Sequence, residues 1–199
     1  VDSIMKYAPE ASGDATRQVA ITTGGVKRFP LTDMGNAERL VHEHRSDIFY
    51  CPPWKTWIVW EDNRWVTDGE GHMQTLAQKT VRAIRLEADI CKDGEEKKAC
   101  RKHAIKSEAD GKIRAMISQA TSMVPVTLDK LDAKPWQLNV SNGTVDLRTG
   151  ELMPHKKADL ITQIASVNFD SSATCPKWEE FLSTIMVGRD TLVVFCKKL

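Results

Sequence analysis

The sequence predicts an α+β domain in which antiparallel hairpins and a meander pack with two longer helices and a C-terminal helix. Two short turn signals, Asp62-Asn63 and Asn142-Gly143, each lie between short apolar runs. Asn and Gly tolerate the positive φ that a two-residue hairpin turn requires. Between these hairpins, apolar residues repeat at helical spacing, which indicates helices.

The composition limits the classes of function that the chain can have. Its 199 residues are enough to bury a core without disulfides, and Lys+Arg 28 against Asp+Glu 27 give a net charge of +1. Any contact with nucleic acid must therefore come from a local basic patch. Five cysteines without a CxxC pair favour a reducing, cytoplasmic compartment. We find no signal peptide and no apolar run near the roughly 20 residues of a membrane span, so we expect no membrane partner.

The first part of the chain predicts an arm, a helix and a hairpin. Residues 1–30 are rich in Ala, Thr, Gly and Ser and predict a flexible arm or linker. Asp33 or Asn36 is expected to cap a helix that runs to His44, with Leu40 and Val41 facing inward. Strands are predicted at 48–51, 57–60 and 64–67, and their register pairs Trp60 with Trp65 and Glu61 with Arg64.

Two longer helices follow in the prediction. Residues 71–88 form an amphipathic helix whose inward stripe is Ala77, Val81, Ile84 and Ala88, while Arg82 and Arg85 lie away from it. After the Asp93-Gly94 break, one helical signal runs over 95–123 and is clearest at Ile113, Met116, Ile117 and Ala120. Pro125 ends it.

The last part predicts a meander and a C-terminal helix. Strands are expected at 136–140, 144–147 and 151–153, with turns at Asn142-Gly143 and Thr149-Gly150, and a further strand at 165–169. Thr174 is expected to cap a helix that begins at Pro176. Gly188 would end that helix, and residues 191–199 would begin another. The buried face of the helix that starts at Pro176 is predicted to be Trp178, Phe181, Leu182 and Ile185.

Three separated stretches carry a resemblance to a known family. They are TDMGNAERLVHEH (32–44) with IFYCPPWKTWIVWEDNRW (48–65), KSEADGKIRAMISQATS (106–122), and LNVSNGTVDLRTGELMPH (138–155) with ADLIT (158–162) and CPKWEEFL (175–182). Together they resemble the domain that precedes the superfamily 3 helicase module in phage and plasmid primase-helicases. That group includes satellite-phage primases and the poxvirus primase-helicase. The sequence departs from the family pattern at Arg45, where Gly is usual, and at His103, where an aromatic residue is more typical.

The resemblance implies a function and an organisation. The domain resembles a collar on one end of a helicase ring, between the primase and the ATPase, which implies DNA and a homo-oligomer, a hexamer in the full-length protein, as partners. It also implies the cytoplasm of a bacterial host cell. We expect an arm at 1–30, the collar-like domain at 31–187 and, at 188–199, the start of a helix that leads into the helicase. ATP and Mg²⁺ are expected for that helicase and not for this chain.

The residues themselves predict no catalytic machinery. A superfamily 3 motor needs a phosphate-binding loop, GxxxxGK[ST], and the nearest segment, Gly24-Gly25-Val26-Lys27, lacks its spacing and its hydroxyl residue. A primase needs clustered carboxylates to hold two metal ions. The nearest candidates are Asp129 and Asp132, and the interpretation we favour for them is a solvated loop. We therefore predict no catalytic, cofactor-binding or metal-binding residues in this chain.

Possible zinc ligands lack a recognisable spacing. Thiolates and imidazoles bind zinc well, so we considered two groups: Cys91, Cys100 and His103; and His42, His44 and Cys51. A simpler interpretation is that Cys91 and Cys100 are small apolar residues on helices and that His42 is a surface residue of a helix. A Cys-His nucleophile pair has no third orienting group to support it.

A basic stripe is the best candidate for DNA contact. The predicted DNA-binding residues are Lys97, Lys98, Arg101, Lys102 and Lys106. Positions 98, 102 and 106 share one helix face, where mutual repulsion costs a few tenths of a kcal/mol per pair and a phosphate could offset it. The alternative is a solvated face that Glu95, Glu96 and Glu108 partly neutralise.

Two other groups of residues are candidates for DNA contact. Base stacking on Trp54, Trp57, Trp60 and Trp65, beside Lys55 and Arg64, competes with core packing, which we favour because tryptophan buries so much area. A smaller basic group follows the meander at His155, Lys156 and Lys157. We interpret it as the polar end of a strand and not as a DNA contact.

Two rival functions remain beside the collar. The chain could be an origin-recognition module that reads duplex sequence through the 95–123 helix. It could also be a metal-dependent nuclease that uses Asp146 and Glu151.

Overall fold

The computed structural model describes residues 28–91 and 93–196, and the predicted arm over 1–27 lies outside them. Within this part are six α-helices and two three-stranded antiparallel sheets, which confirms the α+β class. The helices are α1 (Asp33–His44), α2 (His72–Ile90), α3 (Gly94–Ser107), α4 (Asp110–Ala120), α5 (Pro176–Ile185) and α6 (Asp190–Cys196). Sheet A is β1 (Ile48–Cys51), β2 (Thr56–Glu61) and β3 (Arg64–Thr67); sheet B is β4 (Gln137–Val140), β5 (Gly143–Asp146) and β6 (Glu151–Met153). No helix in the described part is long and apolar enough to cross a membrane.

Sheet A has the register that its turn residues predict. Trp60 pairs with Trp65 and Glu61 with Arg64 across β2 and β3. The two indole rings meet edge to face with centroids 5.6 Å apart. A two-residue turn fixes the register of a hairpin, so the pairing follows from the Asp62-Asn63 signal.

Both faces of sheet A are buried. On one face, α1, α2 and α4 pack against the sheet through a cluster that includes Leu40, Trp57, Val81 and Met116. On the other face, Ile58 and Trp65 pack with Cys51, Val126 and Leu131. The predicted inward stripe of α2 is buried at all four positions, Ala77, Val81, Ile84 and Ala88, and Leu40 is buried as predicted. Sheet A is therefore the middle layer of the domain.

The single helix predicted over 95–123 is wrong, because the chain breaks between α3 and α4. Ala109 is extended (φ −63°, ψ 135°). Cys100 and Ala104 of α3 pack on Ile84 and Ala88 of α2, whereas Ile113 of α4 packs in the cluster under sheet A. At about 100° per residue these two apolar stripes would lie roughly 180° apart on one straight helix. Two helices are needed to bury both.

A buried polar cluster ties α1 to α2 and α3. The Arg39 guanidinium donates from Nε to Glu87 Oε1 at 2.8 Å, and its other nitrogens donate to the carbonyls of Phe29 and Pro30 at 3.0 and 2.9 Å. Arg39 is only 2% exposed. The last two residues of the predicted arm, Phe29 and Pro30, are thus bound to α1.

The cap of α1 differs from the expected one, and Asp68 caps α2. Thr32, and neither Asp33 nor Asn36, caps α1, because its hydroxyl accepts from the Gly35 amide at 3.0 Å. Gly35 is required here, since a Cβ would lie 2.0 Å from the Pro30 carbonyl oxygen. Asp68 accepts from the first amides of α2, those of His72 and Met73, at 2.8 and 2.9 Å.

Sheet B is the predicted meander with a shifted first turn. Val140 pairs with Gly143, so the turn residues are Ser141 and Asn142, not Asn142-Gly143. Gly143 instead begins β5, where a Cβ would lie 2.5 Å from the carbonyl oxygen of Met153 in β6. Close backbone approach, not turn geometry alone, accounts for this glycine.

Asn139 holds sheet B against sheet A. Its amide nitrogen donates to the carbonyl of Asn63 in the β2–β3 turn at 2.9 Å and to that of Gln163 at 3.1 Å. Its side-chain oxygen accepts from Thr144 at 3.1 Å. The strand predicted over 165–169 is wrong, because only an isolated bridge between Ala165 and Val140 forms there.

The C-terminal helices differ most from the prediction. Thr174 does not cap α5; Cys175 holds that position without a side-chain cap, and Pro176 opens the helix as expected. Of the predicted buried face only Leu182 is buried, while Trp178, Phe181 and Ile185 are 48%, 50% and 55% exposed. Gly188 (φ +75°) separates α5 from α6, and residues 197–199 lie outside the described part.

Candidate nucleic-acid interface

The five predicted DNA-binding residues all lie on α3, but they do not form one set. Lys97 and Arg101 both face Asp89 of α2, with nitrogen–oxygen distances of 3.4 and 2.9 Å. Hydrogen bonds from Arg101 and Lys97 hold the pKa of Asp89 below its usual value. These two cations therefore already have an anionic partner within the fold.

Lys98, Lys102 and Lys106 form the remaining set, which we name the lysine stripe. All three are exposed, and none makes an ion pair with another residue in the described part of the chain. They follow one another at i, i+4 and i+8, on the side of α3 opposite the buried Cys100 and Ala104. The stripe presents three ammonium groups to solvent.

The glutamates that the sequence placed near the stripe are engaged elsewhere. Glu96 pairs with Arg28, and Glu108 pairs with Arg85 of α2. Glu95 lies in the first turn of α3, where its charge favours the helix dipole. Glu96 and Glu108 therefore neutralise arginines and not the lysine stripe.

A cleft of about 550 Å³ opens beside the stripe, between α1, α3 and α4. We name it the lysine cleft. Its lining includes Leu31, Asp33, Lys102, His103, Lys106 and Lys112. Lys112 Nζ lies 2.8 Å from Asp33 Oδ2. The pairing of Lys112 with Asp33, which are 79 positions apart, was not predicted; the opposed apolar stripes within 95–123 are the sequence signal that α4 turns back towards α1.

A hydrogen-bonded group lies behind the lysine cleft. His103 Nε2 lies 2.9 Å from Asn36 Oδ1 and 3.3 Å from Ser107 Oγ, and Asn36 Nδ2 donates to Ser107 Oγ at 2.9 Å. Burial, and then the nearby charge of Arg39, lower the pKa of His103. This residue joins α3 to α1 by polar contacts.

The tryptophans divide between core and surface. Trp65 is 1% exposed and donates from Nε1 to the Lys157 carbonyl at 2.9 Å, and Trp57 is also buried. Trp60 is half-buried, while Trp54 is 48% exposed in the β1–β2 turn. Trp57 and Trp65 pack in the core. Of the four tryptophans considered for base stacking, Trp54 and part of Trp60 are accessible to a base.

The other basic residues near sheet B serve the fold. His155 Nδ1 lies 2.9 Å from Asn139 Oδ1. Lys157 pairs with Asp47 and lies over the Trp60 ring. Lys156 is exposed. This arrangement agrees with the polar strand exit that the sequence favoured.

The candidate metal ligands are dispersed. Cys51 is buried in sheet A and Cys100 between α2 and α3, where burial raises the pKa of its thiol. His42 is exposed on α1. Among residues 28–91 and 93–196, no three His, Cys, Asp or Glu side chains are grouped so that they could hold a metal ion.

Two of the carboxylates considered for catalysis, Asp132 and Asp146, have hydrogen-bond partners. Asp132 accepts from the Thr162 amide at 2.7 Å and also from its hydroxyl. Asp146 pairs across the sheet with Glu151, accepts from the Arg148 amide at 2.9 Å and pairs with its guanidinium at 3.1 Å. Those bonds from Arg148 hold the pKa of Asp146 below its usual value.

The fold and the lysine stripe define an α+β domain with one basic helix face, an arrangement suited to phosphate contact. The chain belongs to the family described as D5 N terminal like, whose sequence model matches residues 37–187. This family is the N-terminal domain of D5-like phage and poxvirus primase-helicase proteins, which confirms the resemblance seen in the sequence. Comparison with curated proteins gives no match.

Proposed function

We propose that this chain is the noncatalytic collar of a phage or plasmid DNA primase-helicase. In this role it supports a homo-oligomeric ring, hexameric in the full-length protein, and guides DNA to a superfamily 3 motor during replication. Membership of the primase-helicase family supports the proposal. ATP hydrolysis with Mg²⁺, and any primer synthesis, would belong to other domains, and the host-cell cytoplasm is the expected location.

The lysine stripe is the observation that carries DNA guidance. Its ammonium groups lack carboxylate partners in the described part of the chain, whereas Lys97 and Arg101 have one. Three aligned like charges repel one another, and a phosphate backbone would relieve that repulsion while releasing counterions. Contacts of this kind position DNA without reading its sequence, as a collar requires.

Exposed apolar side chains support assembly. Trp178 and Phe181 stack on α5 with centroids 5.6 Å apart and remain about half exposed. Val187 and Phe195 are 80% and 59% exposed. Large exposed apolar side chains of this kind are typical of an interface with another folded unit. We therefore assign the α5–α6 surface to contacts within the ring or with the motor.

Charge reversal tests the DNA contact. The variant K98E/K102E/K106E should lose affinity for a fluorescent single-stranded oligonucleotide, measured by anisotropy over a salt series. Three lost phosphate contacts should flatten the slope of log K against log [salt] by about 2, at roughly 0.7 per phosphate. The control K79E/K130E/K177E makes the same change of charge at exposed lysines on other elements and should keep the wild-type slope. Equal loss in both variants, or in neither, would refute a contact through the stripe.

Three further measurements separate the collar from its rivals. An origin-recognition module would bind a cognate duplex more tightly than a scrambled one, and a collar should not. A nuclease would cut plasmid in the presence of Mg²⁺ or Mn²⁺, and a collar should leave it intact. Light scattering on this chain, and on a form extended through the motor, would measure the oligomer; a monomer in both would contradict the ring.

A further inference from the structure

We propose that the lysine cleft is a binding site for a phosphate group, carried either by a DNA backbone or by a free nucleotide or polyphosphate. The proposal deepens the DNA contact argued above where the source is DNA, and stands apart from it where the source is a free ligand. The sequence places Lys102 and Lys106 on an open helix face. The structure instead places them at the side of a cavity with a third lysine from another helix.

The charge of the lysine cleft favours an anion. Three lysines line it, and Asp33 is the one carboxylate among its lining residues in the described part of the chain. Asp33 is paired with Lys112, so Lys102 and Lys106 leave a net charge of about +2 facing the cavity. Lysine binds phosphate as a compact point charge with three rotatable donors and needs no fixed fork geometry.

The shape of the lysine cleft favours an extended ligand. Its volume of about 550 Å³ falls within the range of small-molecule sites and exceeds what one phosphate group fills. Leu31 and Ala99 supply an apolar portion. A chain of phosphates, or a phosphate joined to a sugar and base, suits a site whose lining combines lysines with apolar side chains.

The rear of the cleft is fixed by the fold. Ser107 is 2% exposed, and its hydroxyl accepts from the Asn36 amide at 2.9 Å. His103, which lines the cleft, is held by Asn36 at 2.9 Å. Preorganised walls reduce the entropy that a ligand must lose on binding. Another cleft among the described residues, of about 420 Å³, is lined by Arg45 and Glu38, whose charges offset each other, and offers an anion no comparable excess of positive charge.

Calorimetric titration of the full chain with inorganic tripolyphosphate at 150 mM salt tests the site. At that ionic strength charges more than about 8 Å away are largely screened, so the readout reports groups close to the ligand. The variant K102A/K106A should weaken binding about tenfold or more, because it removes two charge-assisted contacts. The control K79A/K177A removes two exposed lysines on α2 and α5 and should change the affinity less than twofold. Equal weakening by both variants, or no saturable binding by the wild type, would overturn the proposal.

A variant that is expected to bind more tightly tests the site without relying on a loss of affinity. Asp33→Asn removes the carboxylate that neutralises Lys112 and should tighten tripolyphosphate binding. Weaker or unchanged binding would contradict an anion site at this position.

Competition identifies the source of the phosphate and separates this proposal from the collar. If tripolyphosphate displaces a labelled oligonucleotide from the wild type, the site takes the DNA backbone; if it binds without displacing DNA, the site takes a free polyphosphate. Both results support the cleft. A wild type that binds tripolyphosphate through Lys102 and Lys106 but does not bind DNA would refute the DNA contact alone. If the wild type binds DNA but the variant K102A/K106A binds tripolyphosphate as tightly as the wild type does, the cleft proposal alone is refuted.

Discussion

Two regions of the domain, the surroundings of sheet A and the sheet B and α5 region, use apolar residues in opposite ways. Around sheet A, helices cover one face and the 126–131 segment covers the other, so that Trp57, Ile58 and Trp65 are all nearly inaccessible. In sheet B, Leu138, Val145 and Leu152 form one cross-strand row, but Leu138 and Leu152 remain 43% and 39% exposed. The α5 helix repeats this contrast, with Leu182 buried and its other large apolar residues exposed.

This difference separates stability from assembly. Burial of apolar area around sheet A supplies the main stabilisation of the isolated chain, since each fully buried large side chain contributes about 1.5–3 kcal/mol. The exposed apolar residues of sheet B and α5 contribute less, but they are available to another surface. Substitutions in the two regions should therefore affect different measurements.

The sharpest comparison sets a core residue against an exposed one. Leu40→Ala should lower the free energy of unfolding by about 3 to 4 kcal/mol, because it leaves a cavity under sheet A. Phe181→Ala, at a position that is 50% exposed, should cost less than about 1 kcal/mol in the isolated chain. Urea unfolding followed by circular dichroism measures both. Similar losses would mean that α5 belongs to the same core and would remove the contrast.

The buried polar cluster gives the next effect. Arg39→Ala should cost about 2 to 3 kcal/mol, at or just below the lower end of the roughly 3–5 kcal/mol range for a broken buried pair, because the Glu87 side chain is 31% exposed and partly hydrated. The carbonyls of Phe29 and Pro30 would also lose their donor. Arg114→Ala is the control, since the pair with Asp110 is exposed and should contribute less than about 0.5 kcal/mol. Urea unfolding of the two variants would contradict the role of Arg39 if they were equally stable.

The smallest effect is a pH dependence from His103. Its pKa is lowered in the folded chain by burial, so below the ordinary value near 6.5 the unfolded chain takes up a proton more readily than the folded one. This difference removes stability as the pH falls from 7.5 to 5.5. His103→Gln should reduce the pH dependence of the free energy of unfolding, measured in urea at both pH values. His42→Gln, on the exposed side of α1, is the matched control, and an unaltered pH dependence in His103→Gln would contradict the assignment.

Much of the fold could be predicted because the relevant signals are local. The Asp62-Asn63 turn fixed the Trp60–Trp65 register, and the apolar spacing of α2 gave its buried stripe. The errors lie where distant contacts decide. Thr32 replaced the expected cap because the chain before α1 turns against Gly35, and the 95–123 helix broke because its two stripes face different neighbours.

The candidate site shows the same division. The five basic residues of α3 could be found from spacing, but Asp89 on α2 separates Lys97 and Arg101 from the other three. The α5 helix carries an apolar face at helical spacing, yet periodicity cannot distinguish a face that is buried in the same chain from one that remains exposed.

The sequence by itself determined the α+β class, the hairpin register, the stripe of α2 and membership of the primase-helicase family. The tertiary structure alone decided which lysines lack an anionic partner among the described residues, that Lys112 meets Asp33 beside Lys102 and Lys106, and which apolar faces are covered. Turns and helical periodicity depend on neighbours within a few residues, whereas charge pairing and burial depend on elements that approach only when the chain folds.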